Sequence, residues 1–140
     1  MSLVYEASTT IEASPATVWS VLVDTAKWPE WDPFCIRIDG HVALGKKVTA
    51  WTKLSPDRGF GVKVTQLDEN EKMVWSGGMP LGLFKGVRTY ALTERGDETE
   101  FSMREEFTGP MLFMIKGSIP DMTEAFEAFV NGLKERAESA

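Results

Sequence analysis

The sequence is poor in the residues that build stapled, metal-centred or nucleophilic sites. Among 140 residues there is one cysteine, Cys35, and one histidine, His41. A single cysteine excludes an internal disulfide and suits a reducing compartment, so a cytoplasmic location is expected. One His and one Cys cannot assemble a His/Cys zinc cluster, and no metal is expected. A Ser-His-Asp or Cys-His arrangement would have to use His41, which stands beside Gly40 at a strand end and reads as a solvent-exposed turn residue. No stretch approaches the roughly 20 apolar residues that span a bilayer, so stable membrane insertion is not expected. The N-terminus lacks a basic region followed by an apolar run, so no secretory signal is read. Positive charge is also scarce: 15 Lys and Arg stand against 21 Asp and Glu, a formal charge of −6 and a pI near 4.8. That balance argues against a nucleic-acid partner and against docking on anionic lipid. Gly59-Phe-Gly61 and Gly77-Gly78 lack the following helix that a phosphate-binding loop requires. No cofactor is expected.

What remains is an ordinary globular composition, 43% hydrophobic and 26% charged, sized for one domain over 1–140. Residues 3–12 alternate as a first strand. Ser14-Pro15 supplies an N-cap and a proline at the first helical position, and Val18, Trp19 and Leu22 follow at helical spacing, so 15–23 is a short helix. Asp24 is placed to cap a second short helix ending near Trp28-Pro29-Glu30-Trp31. Strands are predicted at about 33–41, 46–54, 60–68, 72–79, 84–95 and 98–107, punctuated by glycine, proline and Asp/Asn turns.

The last two strands carry the most informative feature. Gly96-Asp97 suits a two-residue type II′ turn, which fixes the hairpin register. Leu92 then opposes Phe101, Tyr90 opposes Met103, and Arg88 opposes Glu105. Because side chains alternate between faces, these six share one face with Phe107. Thr89, Ala91, Thr93, Ser102, Arg104, Glu106 and Thr108 occupy the wet face. A charge pair on an otherwise apolar inner face reads either as a structural or rim salt bridge or as a polar spot in a cavity.

At the C-terminus, Ser118 and Pro120 suit a helix start, and Ile119, Met122, Phe126, Phe129, Val130, Leu133 and Ala137 fall on one stripe. The spacing predicts a helix over 119–138, about 30 Å long. Its Met and Phe residues serve core packing or the wall of a pocket. Trp19, Trp28 and Trp31 either hold the short helices to the sheet or place Trp28 or Trp31 at a pocket mouth. The segments 77–84 and 109–115 are glycine-hinged and apolar, suiting either an entrance or half-buried edge connections.

The order strand, two short helices, six strands, long helix resembles the helix-grip fold of the START/Bet v 1-like (SRPBCC) superfamily. It is most similar to the bacterial polyketide cyclase/dehydrase and lipid-transport branch. The resemblance spans essentially the whole chain and rests on Ile11-Glu-Ala-Ser-Pro-Ala-Thr-Val-Trp19, the Asp24-to-Trp31 stretch, Phe34, Gly86-Val-Arg-Thr-Tyr-Ala-Leu92 and Glu105-Glu-Phe-Thr-Gly109. It implies an α+β domain in which a curved seven-stranded antiparallel sheet wraps the C-terminal helix around a deep apolar cavity. One helix cannot cover seven strands, so space beside it is also a geometric expectation. The candidate lining is Phe34, Trp51, Trp75, Met79, Leu83, Phe84, Arg88, Tyr90, Met103, Glu105, Phe107, Phe113, Met122, Phe126 and Phe129. A one-residue slip would turn Trp51 or Trp75 outward. Two function classes follow. One is binding, transport or sequestration of a hydrophobic small molecule such as a lipid, isoprenoid or polyketide-like compound. The other is a cyclase or dehydratase in which Arg88 stabilises an enolate and Glu105 or Tyr90 shuttles a proton. A protein-interaction module resembling Hsp90 activators is a weaker third. The sequence fixes no oligomeric state.

Overall fold

A computed structural model describes residues 2–140. Seven strands form one antiparallel sheet: β1 (Leu3–Ile11), β2 (Cys35–Asp39), β3 (Lys47–Thr52), β4 (Phe60–Asp68), β5 (Lys72–Gly78), β6 (Lys85–Arg95) and β7 (Glu98–Thr108). Their spatial order is β1-β7-β6-β5-β4-β3-β2. Register shifts between Cys35 and Arg37 and between Val64 and Gln66 bend the sheet, since an unpaired extra residue kinks its strand. The sheet curls around the C-terminal helix, which is the helix-grip arrangement.

Helix α1 (Pro15–Val23) starts as its sequence dictates, with the Ser14 hydroxyl accepting the Thr17 N–H. The following Thr25–Glu30 segment is a 3-10 helix, and Asp24 gives it no side-chain cap; the carboxylate lies 3.9 Å from Lys27 instead. The glycine-hinged segment 109–115 contains a single helical turn, α2 (Leu112–Ile115), and a 3-10 turn follows at Lys116–Ser118.

The long helix α3 is shorter than its apolar stripe implies: it runs Thr123–Glu138, about 24 Å, rather than 119–138. Proline explains the difference. A residue preceding proline is pushed off the helical region, and Ile119, before Pro120, is extended at φ −84° and ψ 120°. Ser118 therefore caps nothing; Met122 stands at the N-cap without a side-chain bond, and Asp121 before it accepts the Thr123 N–H on Oδ1 at 2.9 Å. Phe126, Phe129, Val130, Leu133 and Ala137 of α3 are buried. The helix passes so close to the 25–31 segment that a Cβ at Gly132 would overlap the Trp31 carbonyl oxygen. Among the described residues no helix is long and apolar enough to cross a membrane.

Candidate functional site: a half-filled grip

The β6–β7 hairpin sets the site. Gly96 takes φ +63°, and the register is the one the turn requires: Leu92 with Phe101, Tyr90 with Met103, Arg88 with Glu105. Combining this pairing with those of β5 and β1 gives rows across the inner face. The row Met73, Tyr90, Met103, Ala7 is fully buried; the next is Trp75, Arg88, Glu105, Tyr5; the outermost is Gly77, Gly86, Phe107, Leu3. Two directly paired glycines in that last row leave the sheet without side chains where filling would be needed. There a cavity of about 430 Å³ opens, within the usual range for small-molecule pockets.

All the expected lining residues border this cavity except Leu83, Tyr90 and Phe113. Leu83 and Phe113 are exposed, Phe113 to 70%, because the chain turns at 79–84 and 109–115 point them out of the lip. Tyr90 is sealed in the core, its ring against Trp28, Trp75, Phe101 and Phe129. Its hydroxyl makes no hydrogen bond of acceptable geometry among the described residues. Burial pushes its pKa up to about 12, with the nearby Arg88 charge pulling the other way. A proton shuttle needs contact with a ligand, and Tyr90, fully buried, has no face on the cavity. Trp75 and Trp51 both border the cavity; Trp51 is held by an indole N–H bond to Asp39 at 2.9 Å and by Arg37 over its ring at 4.4 Å. Trp28 serves both readings made of it. Its indole donates to the Leu22 carbonyl at 3.0 Å, fixing the short helices, and its ring stacks on Trp75 at 5.3 Å along the cavity wall. Trp31 packs on Phe129 outside the lining.

Arg88 donates to Glu105 Oε1 from Nε at 2.8 Å and from Nη2 at 2.6 Å, and its guanidinium lies 5.0 Å from the Phe126 ring centroid. Burial alone would lower the Arg88 pKa; the Glu105 carboxylate outweighs that and holds it above its ordinary value. The two side chains are 24% and 12% exposed, onto the cavity.

The sequence reading missed a third charged group. Asp32 borders the cavity and is only 8% exposed. Its Oδ1 accepts the Phe34 N–H at 3.1 Å and its backbone carbonyl accepts the Cys35 N–H at 3.1 Å, so carboxyl and backbone together organise the entry into β2. Burial raises its pKa to about 6, against the lowering pull of the Phe34 bond and the Arg88 and Lys53 charges. Cys35 beside it is pushed up to about 12, first by burial and then by Asp32, which leaves a neutral thiol of low reactivity. The signal for Asp32 was its place just before Pro33 and an inward Phe34, where Asp commonly bonds its own backbone two residues on. Ile38, Ala50 and Ile119 also line the cavity beyond the expected set.

A curved antiparallel sheet gripping a C-terminal helix around an apolar cavity with a few fixed charges defines a START/Bet v 1-like domain. The profile of the family described as polyketide cyclase/dehydrase and lipid transport matches residues 2–138, and the chain belongs to that family. No curated protein matches the sequence. Among solved structures, the chain is similar to a START superfamily protein from Mycobacterium smegmatis (TM-score 0.70, 17% identity, 97% of each chain covered). It is also similar to an aromatase/cyclase from Streptomyces (TM-score 0.75, 14% identity, 99% of this chain and 94% of that one). A third is norcoclaurine synthase from Thalictrum flavum (TM-score 0.72, 14% identity, 100% and 96%). At these identities the likeness is one of fold.

Proposed function

We propose that this protein binds a hydrophobic small molecule with an aromatic or polycyclic body inside the cavity, for carriage or sequestration. The observation that carries the reading is the cavity wall: Trp28, Trp75, Phe34, Phe107, Phe126 and Phe129 enclose about 430 Å³ that the protein's own side chains leave unfilled. Packed interiors leave few voids larger than a water molecule, so a space of this size lined by aromatic faces is a site rather than a packing fault. Polyketide-like compounds and polycyclic lipids or isoprenoids fit the description. Native mass spectrometry of protein purified from its own host tests it. The expected result is a bound compound released on collisional activation; unliganded protein that also fails to bind a broad apolar panel would overturn the reading.

A second reading has one observation in its favour. Asp32 titrates near neutrality at the cavity wall, opposite a fixed Arg88, and a general acid or base works best with a pKa near the operating pH. A cyclase or dehydratase would use Arg88 to stabilise an enolate and Asp32 or Glu105 to move the proton. Turnover of a poly-β-keto substrate, lost in Arg88→Met while binding persists, is the result that would favour it over simple binding.

A further inference from the structure

We infer that the two turns at the lip of the cavity, 79–84 and 109–116, dock the protein reversibly on the surface of a fluid zwitterionic bilayer, so that an apolar ligand passes between lipid and cavity without crossing water. The inference rests on the cavity being a binding site and adds where its ligand is loaded.

Exposed apolar side chains are not spread evenly over the molecule. Eight large ones are exposed among the described residues, and five of them, Met79, Leu81, Leu83, Phe113 and Met114, stand on these two turns. Leu81 is 96% exposed and Phe113 70%. The turns are joined, since the Met111 N–H donates to the Leu83 carbonyl at 3.0 Å, and a Cβ at Gly109 would stand only 2.6 Å from that oxygen. They therefore form one patch, of a kind that marks a protein or membrane contact when it lies open. Leu81 is also held at φ +62°, in left-handed backbone that a leucine disfavours. Strain of this sort persists where the surrounding structure imposes it, and it gathers at binding sites.

The patch is continuous with the cavity. Met79, Phe84 and Ile115 of the same turns line it, and Phe84 stacks on Phe107 of the wall at 5.8 Å. Arg58 and Phe60, from the connection into β4, also line the cavity and are exposed. A protein partner has no need of a cavity within its footprint, whereas a bilayer dissolves the apolar ligand that the cavity is built to hold.

Charge favours the same occupant. No Asp or Glu occurs in 77–93 or 107–120, although the chain has 21. The charged residues of those segments are Arg88, paired inside with Glu105, and the exposed Lys85 and Lys116. Lysines beside an apolar patch lay their stems along it and reach headgroup phosphates with their tips. A second copy docked through the same patch would set these cations against their own equivalents. The formal charge of −6 over the whole chain opposes strongly anionic membranes, so a zwitterionic surface is the better match. With no helix among the described residues able to span a membrane, the contact lies on the bilayer.

Flotation with phosphatidylcholine vesicles tests the inference, and calorimetric titration with 1-naphthylmethylamine in the absence of lipid checks the cavity separately. The native chain is expected to float with the vesicles. Leu81→Glu/Phe113→Glu should weaken partitioning at least about tenfold, because docking strength follows buried apolar area. Leu44→Glu, at a leucine 63% exposed but outside the cavity lining, should change partitioning by less than about twofold. All three proteins should bind the probe alike. A native chain that stays in the aqueous phase while binding the probe overturns the inference and leaves the cavity reading intact. Equal losses in Leu81→Glu/Phe113→Glu and Leu44→Glu overturn the part given to the turns. A dimer abolished by Leu81→Glu/Phe113→Glu, without flotation of the native chain, overturns the bilayer in favour of a second copy. Flotation of a chain that binds neither the probe nor a broad apolar panel overturns the binding function on which the inference rests. If the double variant does not fold, Met114→Gln decides the question: a loss of about threefold is expected, and no loss overturns the inference.

Discussion

The inner face of the β6–β7 hairpin has two halves that are built alike and finished differently. Toward the turn, Tyr90, Leu92 and Phe101 are 7% exposed or less and share one core with Leu22, Phe129, Val130 and Leu133 of the helices. Toward the open end, Gly86, Arg88, Glu105 and Phe107 face the cavity. The strands, their register and their alternation are continuous across both halves. What changes is the cover. Helix α1 and the C-terminal part of α3 lie over the first half, whereas the second meets only the first turns of α3, which Pro120 delays until Thr123 and which reach Arg88 through Phe126. A binding cavity here needs no special architecture; it needs a helix that starts late and glycines on neighbouring strands.

The comparison is broken most visibly by truncating one side chain in each half. Phe101→Ala in the filled half should cost about 3–5 kcal/mol in denaturant unfolding, since it leaves a new hole in a closed core. Phe107→Ala, which removes atoms already facing a void, should cost about 1–2 kcal/mol, because less contact is lost. Equal losses would mean that the two halves are equally packed.

Asp32 sharpens the contrast, because it is a group that the hollow half tolerates at a cost. Its folded pKa of about 6 lies above the ordinary 3.8, so the native state holds the proton more tightly than the unfolded chain. The stability this confers is present below about pH 4 and is lost as pH rises through about 6. Replacing the carboxyl by an amide that can keep the Phe34 bond should therefore stabilise the protein at pH 7.5, by on the order of 3 kcal/mol at most. The gain should vanish as the pH falls toward 4. Urea melts of Asp32→Asn across that range check it, and a variant less stable than the parent at pH 7.5 would mean that the carboxylate is structural.

The smallest effect is expected at the charge pair. Glu105→Gln keeps an acceptor for Arg88 beside a cavity that admits water, so the loss should be about 0–1 kcal/mol. A loss of about 3–5 kcal/mol would instead mark a dry, purely structural pair.

Much of this was legible in the sequence, for reasons that differ from residue to residue. The Gly96-Asp97 turn permitted one register, and that register placed Arg88 opposite Glu105. Ser14-Pro15 named the start of α1 by its chemistry. The stripe on α3 was legible as a face but not as a length, because amphipathic spacing continues through Ile119 while the backbone cannot. Tyr90 illustrates a second gap. Alternation tells which face a side chain takes but not how far along the sheet the cover extends, so Tyr90 and Arg88 looked equivalent although one is sealed and the other borders the cavity. Asp32 lay in a segment read as a connection, and only the return of that connection beneath the curled sheet brings its carboxyl beside Arg88's field. Gly77 was legible as a hinge, whereas its pairing with Gly86, which hollows the sheet, is a property of two strands together.

The central claim is that ligand enters the open half and not the filled one. Amide and side-chain chemical-shift mapping on addition of 1-naphthylmethylamine tests this most directly. Shifts are expected to concentrate at Phe34, Trp75, Gly86, Arg88, Glu105 and Phe126, with Ile11, Leu92, Phe101 and Leu133 nearly still. Shifts centred on the second group, or spread evenly over both, would contradict it.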